Sequence, residues 1–423
     1  MINNSKTKSW MQSKLLLSLA VVLIVVLSIS LKLMVSRLGH NFDSESWMEV
    51  SNAMQKGRVV YNTTSRYNYG PIWSYILGGL STINVHLDKF NVTDLHFTVV
   101  VFLSIVDALI SLLLYKMFGK IPALLFLLNP VAILLTGYHS QIDNVAVLIG
   151  LFSWYLYLNG RAKSNLKFIY LSALILGVSL SMKHILFLFP VWMLFLAPVG
   201  KENFKTKLVY TLIAYGVFTA GFIIEILRDY PHKTQIIYGI TEYVFKYKSS
   251  YGFSVLFQIM DLIFPIKLLD KGLSWLPIFK GYTFIFFGLL ILYGYIIINK
   301  IGFNKFLLPI YLLAFTAFTP SLADQYFAII LVPVAIFWKK IATLVFNILA
   351  FTYLAVGNSA NITNLYPYSL DLGIGNHILG IYPWNTISNL INYQPQAWIL
   401  ILTVQILFSF RIKNINEIIK EIN

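Results

Sequence analysis

Residues 95–115, LHFTVVVFLSIVDALISLLLY, are predominantly apolar. A helix of this length, rising about 1.5 Å per residue, crosses the roughly 30 Å hydrocarbon core of a bilayer. Working outward, similar apolar runs occupy 14–35, 121–137, 142–158, 167–182, 185–199, 207–226, 281–299, 304–319, 323–338, 341–357 and 394–411. Together they predict an all-α, polytopic membrane protein with about twelve transmembrane helices. Composition agrees: 58% of the 423 residues are hydrophobic, 12% are charged and the mean hydropathy is +0.72. A soluble domain carries roughly 25% charged residues. Interrupted apolar stretches at 71–84 and 252–269 read as partial or interfacial helices.

The formal net charge of +15 would suggest nucleic acid in a soluble protein. Here the cations fall in short loops. With a cytoplasmic N-terminus, alternate loops contain Lys116 and Lys120; Arg161, Lys163 and Lys167; Lys201, Lys205 and Lys207; Lys300 and Lys305; Lys339 and Lys340; and Arg411, Lys413 and Lys420. That regularity is the positive-inside pattern, which puts both termini in the cytoplasm and assigns the charge to orientation and anionic lipid. Nucleic acid is not an expected partner. The N-terminal run is long and lacks a small-residue cleavage site, so it reads as a retained span. There is no cysteine, which excludes disulfides and thiolate chemistry.

The remaining loops, 36–94, 137–143, 182–184, 227–280, 319–324 and 358–393, fall on the opposite, non-cytoplasmic face. They collect most of the acids and histidines. A transporter would more often show matched polar breaks at the membrane midplane, and no convincing internal repeat is present. The asymmetry points instead to an active site at the outer membrane surface, supplied with a lipid-borne substrate.

The first of these loops contains GHNFDSESWMEVSNAMQKGRVVYNTTSRYNYGPIW, residues 39–73. Asp43 and Glu45 share a face in extended backbone and diverge in a helix. A carboxylate here suits a general base on an acceptor hydroxyl or a ligand for a divalent cation, or is ordinary loop solvation. Tyr67, Tyr69 and Trp73 suit sugar faces and membrane interfaces equally, and Arg66 suits a phosphate or carboxylate. In the turn Tyr138-His139-Ser140-Gln141-Ile142-Asp143-Asn144, capping explains some of the polarity. His139 and Asp143 would share a helical face if the turn continues as helix. Lys183-His184 interrupts an apolar stretch, and Lys183 there needs Asp143, Asp43 or a phosphate as partner. Arg228, Asp229, His232 and Lys233 form a second cationic group, readable as phosphate contact or snorkelling. Asp324 and Tyr326 begin a late apolar run as helix cap or substrate contact. Asn62-Thr63-Thr64, Asn91-Val92-Thr93 and Asn361-Ile362-Thr363 fit the glycosylation pattern. Glycine-rich nucleotide loops and H-E-x-x-H are absent, which argues against an ATP-driven pump or a metalloprotease.

Taken in order, Asp43 with Glu45 and Trp47, Tyr69-Gly70-Pro71, and Gly137 through Asn144 resemble motifs of the GT-C superfamily. The likeness is to polyprenyl-phosphate-sugar-dependent glycosyltransferases, namely the dolichyl-phosphate glucosyl- and mannosyltransferases and bacterial relatives. Gly-Pro stands where relatives often have Pro-Pro, and the 137–144 match carries an extra residue on each side. Ser321 to Tyr326 lies where bacterial relatives carry a charged and tyrosine motif. The resemblance implies an N-terminal module over 1–226 with the catalytic outer loop 36–94, then a variable module over 227–423. It also implies short interfacial helices at 44–56 and 71–84. The implied activity is inverting hexose transfer from a polyprenyl-phosphate donor to a glycan or lipid-linked acceptor. Asp43 is then the general base. Lys183, His184, Arg228, His139, Gln141, Asp143 and Arg66 face the donor phosphate or sugar. Glu45, Tyr67, Tyr69, Tyr138, Asp324 and Tyr326 contact the acceptor or sugar. The resemblance fixes no cofactor, and a divalent cation could bind through Asp43 and Glu45. A lipid-linked glycan flippase and a polysaccharide ligase are the rival readings.

Overall fold

The computed structural model describes residues 21–67, 69–197, 202–246, 282–319, 325–352, 354 and 398–409. These are helical with short connections. Helix α1 spans Val21–Ser36, α2 Phe42–Gln55, α3 Pro71–His86, α4 Val92–Phe118, α5 Lys120–Leu127 and α6 Pro130–Gly137. Then follow α7 Asp143–Ala162, α8 Leu166–Met182, α9 Phe189–Leu194, α10 Phe204–Arg228 and α11 Lys233–Lys246. The C-terminal part contains α12 Tyr282–Ile301, α13 Leu307–Phe318, α14 Tyr326–Ile336, α15 Ile341–Thr352 and α16 Trp398–Ser409. Helices occupy both stretches, 44–56 and 71–84, for which short helices were expected.

The expected set of about twelve transmembrane helices, and with it the GT-C architecture, is not found. Among the described residues only Val92–Phe118, Phe204–Arg228 and Phe284–Ile301 are long and apolar enough to cross a membrane. A fourth crossing is formed if α5 and α6, bent by 47° at their junction, count as one. The error lies in equating an apolar run with a continuous helix. Asn129-Pro130 breaks the run at 121–137, because proline starts a helix well but cannot continue one. The runs at 304–319 and 323–338 hold helices of 12 and 11 residues. At 1.5 Å per residue these reach about 18 and 17 Å, short of a roughly 30 Å core. Helix α7 has polar residues at both ends, with Asp143 and Asn144 at one and Asn159 and Arg161 at the other. The long apolar helices remain consistent with at least partial membrane integration. Asp324, Asn361, the stretch 252–269 and the loop 358–393 lie outside the described residues.

Asparagine sets many of the helix starts. Asn41, Asn91, Asn129, Asn165 and Asn203 each accept a backbone N–H in the first turn of α2, α4, α6, α8 and α10. Asn62 and Asn91, from two of the glycosylation-like triplets, use their side chains in the fold, Asn62 on Asp229 and Asn91 as the α4 cap. In the core, α7 packs on α4 and α8, α8 on α10, and α14 on α5, α7 and α13. Trp154, Trp192 and Tyr311 are buried among these helices.

Candidate functional site

Asp43 sits in the first turn of α2, where Asn41 Oδ1 accepts the Asp43 and Ser44 backbone N–H groups at 3.1 and 3.3 Å. A helix N-terminus favours negative charge. The carboxylate is half-buried, and its Oδ2 accepts a 2.6 Å hydrogen bond from Gln141 Nε2. Asn41 Nδ2 lies 3.5 Å from the same oxygen. Oδ1 makes no bond among the described residues.

Gln141 reaches Asp43 because the chain turns sharply after α6. Ser140 adopts a left-handed φ of 46°, a conformation that costs a non-glycine residue about 1–3 kcal/mol unless its surroundings hold it. The turn separates α6 from α7, so His139 and Asp143 do not share a helical face as the sequence suggested. His139 Nδ1 instead lies 3.3 Å from Asn41 Nδ2, and the Tyr138 and His139 rings are 5.2 Å apart. Behind Asp43, Ser44 Oγ lies 2.9 Å from His96 Nδ1 and 3.4 Å from Ser140 Oγ.

Asp143, fully buried at the start of α7, pairs with Lys183. The ammonium lies 2.8 Å from Oδ1 and donates to Oδ2 at 2.9 Å. The Asp43 carboxylate also bears on Asp143, opposing the attraction of Lys183. Lys183 occupies the extended residue that ends α8, and it donates to Gln325 Oε1 at 3.1 Å. Tyr69 OH donates to that same oxygen at 2.9 Å. The Tyr69 and Tyr326 rings lie 4.7 and 5.6 Å from the ammonium, distances that permit cation–π attraction. A cation so buried is stable only with such company.

Tyr69 is held against Lys183 by main chain. Gly70 N–H donates to Met182 O at 3.1 Å, and a Cβ on Gly70 would stand 1.9 Å from Ser181 O. Only glycine permits this approach. Tyr61 OH fixes the Tyr69 carbonyl at 2.6 Å. Tyr67 donates to Gly70 O at 2.5 Å and accepts from Ser74 N–H at 2.9 Å, so its hydroxyl is used at the start of α3. Burial pushes the Tyr67 phenol far up, which keeps it neutral.

Glu45 points away from Asp43, as helical spacing requires, and meets Arg66 at 3.4 Å. Arg66 also pairs with Glu49 at 3.0 Å and lies 3.6 Å from the centre of the Phe42 ring. The Thr64 hydroxyl and the Arg66 guanidinium hold the Glu49 carboxyl below its ordinary range, with partial desolvation opposing them. The extended backbone that would have let Asp43 and Glu45 share a cation is therefore not present. Among the described residues no group of three or more His, Asp or Glu side chains could hold a metal ion.

Arg228 belongs to a different cluster. It pairs with Glu225 at 3.2 Å and donates to Tyr75 OH at 2.7 Å, while Tyr75 also bonds Glu225. Next to it Asp229 bonds His232 and Asn62, which hold its carboxyl below the usual range. His184 follows Lys183 directly, half-buried at the start of a short 3-10 turn.

The structure thus brings Asp43, Gln141, Asp143, Lys183, Tyr69 and Tyr326 together, with Arg66 and Glu45 beside Phe42. It keeps Arg228 apart. Sequence reading missed Asn41 and Ser44, whose types are common at helix starts, and His96 and Gln325, which lie within or beside apolar runs. It also missed Lys32 and Asp107, although an ionisable residue inside a long apolar run is itself a signal. No family model matches the chain, and no curated protein matches it.

Proposed function

We propose that the chain transfers a hexose, with inversion, from a polyprenyl-phosphate donor to a hydroxyl of a glycan or lipid-linked acceptor. The observation that carries this reading is one turn, 139–143, whose Gln141 orients the Asp43 carboxylate and whose Asp143 holds the buried cation Lys183. Asp43 Oδ1 accepts the proton of the acceptor hydroxyl as its oxygen attacks the anomeric carbon. The bond from that carbon to the phosphate oxygen breaks, and its electron pair leaves with the phosphate. Lys183 shares its charge with that group, a form of electrostatic stabilisation. His139 and His184 lie on the donor side in this reading, and Tyr69 and Tyr326 offer ring faces to the sugar. The site faces the non-cytoplasmic side, with both termini in the cytoplasm. The long apolar helices support membrane integration.

The test is transfer from a synthetic polyprenyl-phosphate hexose by the parent and by Asp43→Asn. Asparagine preserves shape but not basicity, and general-base catalysis is worth about 10²–10⁴-fold. Unchanged turnover would remove Asp43 from the chemistry. One observation favours the flippase reading: Lys32 and Asp107 form an ion pair buried deep among apolar helices. That reading is upheld if lipid-linked glycan crosses vesicles carrying Asp43→Asn as fast as those carrying the parent.

A further inference from the structure

Lys32 on α1 and Asp107 midway along α4 are both fully buried and lie 2.6 Å apart. Asp107 Oδ2 also accepts from Thr136 Oγ1 at 2.7 Å, and Oδ1 accepts from Asn144 Nδ2 at 2.7 Å. Three donors close around one carboxylate, and they come from α1, the end of α6 and the start of α7. The backbone is close here too, since a Cβ on Gly137 would stand 2.7 Å from Lys32 O. Thr136 and Asn144 bracket the turn that carries Gln141 and Asp143. One arm of that turn orients Asp43 and the other holds Lys183.

We infer that the Lys32–Asp107 pair is a positioning element for the candidate site. It clamps both ends of the 136–144 turn, and so sets the separation of the Asp43 carboxylate and the Lys183 ammonium. The inference rests on the proposed transfer reaction for its kinetic consequence but not for its structural one. Asn144 is the coupling residue, because it hangs from Asp107 while its neighbour Asp143 holds Lys183. A purely stabilising ion pair would leave Lys183 acylation and kcat at the parent's level in any variant that folds. Replacing both members together avoids the larger cost of stranding one buried charge.

The experiment compares the full-length parent, Asn144→Ala and the double variant K32L/D107L in detergent or vesicles. Two readouts are taken: acylation of Lys183 by an amine-reactive ester, located by peptide mass spectrometry with Lys305 as internal reference, and kcat and KM for the hexose donor. The double variant removes the buried charges but leaves the Thr136 hydroxyl and the Asn144 amide without their acceptor, so its melting temperature should fall by several degrees while it still folds. Both variants should acylate Lys183 several-fold faster relative to Lys305, and kcat should fall about tenfold with KM within about twofold. Parent-like Lys183 acylation in whichever variants fold overturns the inference, as does parent-like kcat in the double variant. If the parent itself transfers no sugar, the proposed function fails, while the acylation comparison still decides the clamp.

Discussion

Gln141 and Asp43 meet at 2.6 Å across 98 positions of sequence. The amide donates to one carboxylate oxygen, Oδ2, and leaves the other for a proton. Replacing Gln141 with Leu removes a hydrogen bond to a charged group, worth about 1.5–3 kcal/mol. Under the transfer reading, kcat falls roughly tenfold to a hundredfold, because the interaction orients the base rather than binding substrate. Steady-state kinetics with the polyprenyl-phosphate donor measure this. A rise in KM at constant kcat would make Gln141 a binding residue instead.

Lys183→Met strands Asp143 in the interior. Breaking a buried pair from one side costs about 3–5 kcal/mol, and Lys183→Met with Asp143→Leu should recover most of that loss. Thermal unfolding in detergent reads the stability. Transfer activity should stay lost in the double variant, which separates the role of the cation in folding from its role at the phosphate.

Gly70→Ala places a methyl group against Ser181 O, a backbone atom that cannot rotate away. Overpacking of this kind costs roughly 1–3 kcal/mol. The strain falls between Tyr69 and Lys183, so the melting temperature and kcat should drop together. A variant with parent stability would show that the two segments separate easily.

Glu49 supplies a test in acid. Its carboxyl titrates below the ordinary range in the folded chain, chiefly through the Thr64 hydroxyl and then Arg66. A depressed carboxyl stabilises the fold above its unfolded pKa, and that contribution fades as pH falls through the folded value. Thr64→Val should therefore lower stability slightly at neutral pH and converge with the parent in acid. Because Glu49 is exposed, the difference should shrink with salt. Melting curves across pH and ionic strength test both trends.

Membrane character was legible in part from composition, and the helix starting at Pro71 from Gly-Pro punctuation, because both act locally; the helix over 42–55 was expected only through the family resemblance. The number of crossings was not, since hydropathy sums residues and does not register a break such as Asn129-Pro130. At the site, Lys183 was legible as a cation in need of an anion, and the structure supplies Asp143. The separation of His139 from Asp143 was not legible, because it depends on one left-handed residue, Ser140, of a type that rarely adopts that conformation. Gln325 was hidden for a different reason. Its role comes from the start of α14 meeting Lys183 at the end of α8 and Tyr69 before α3, long-range contacts that leave no local pattern.

The Lys32–Asp107 pair also constrains how the chain is made. An acid at the centre of a helix costs about 2.5–3.5 kcal/mol to place in lipid alone. Asp107 lies midway along α4, one of the helices long and apolar enough to cross a membrane, and Lys32 of the shorter α1 supplies the opposite charge. The two segments therefore settle as a unit during biogenesis, and Lys32→Leu alone should weaken retention of α4 in the bilayer.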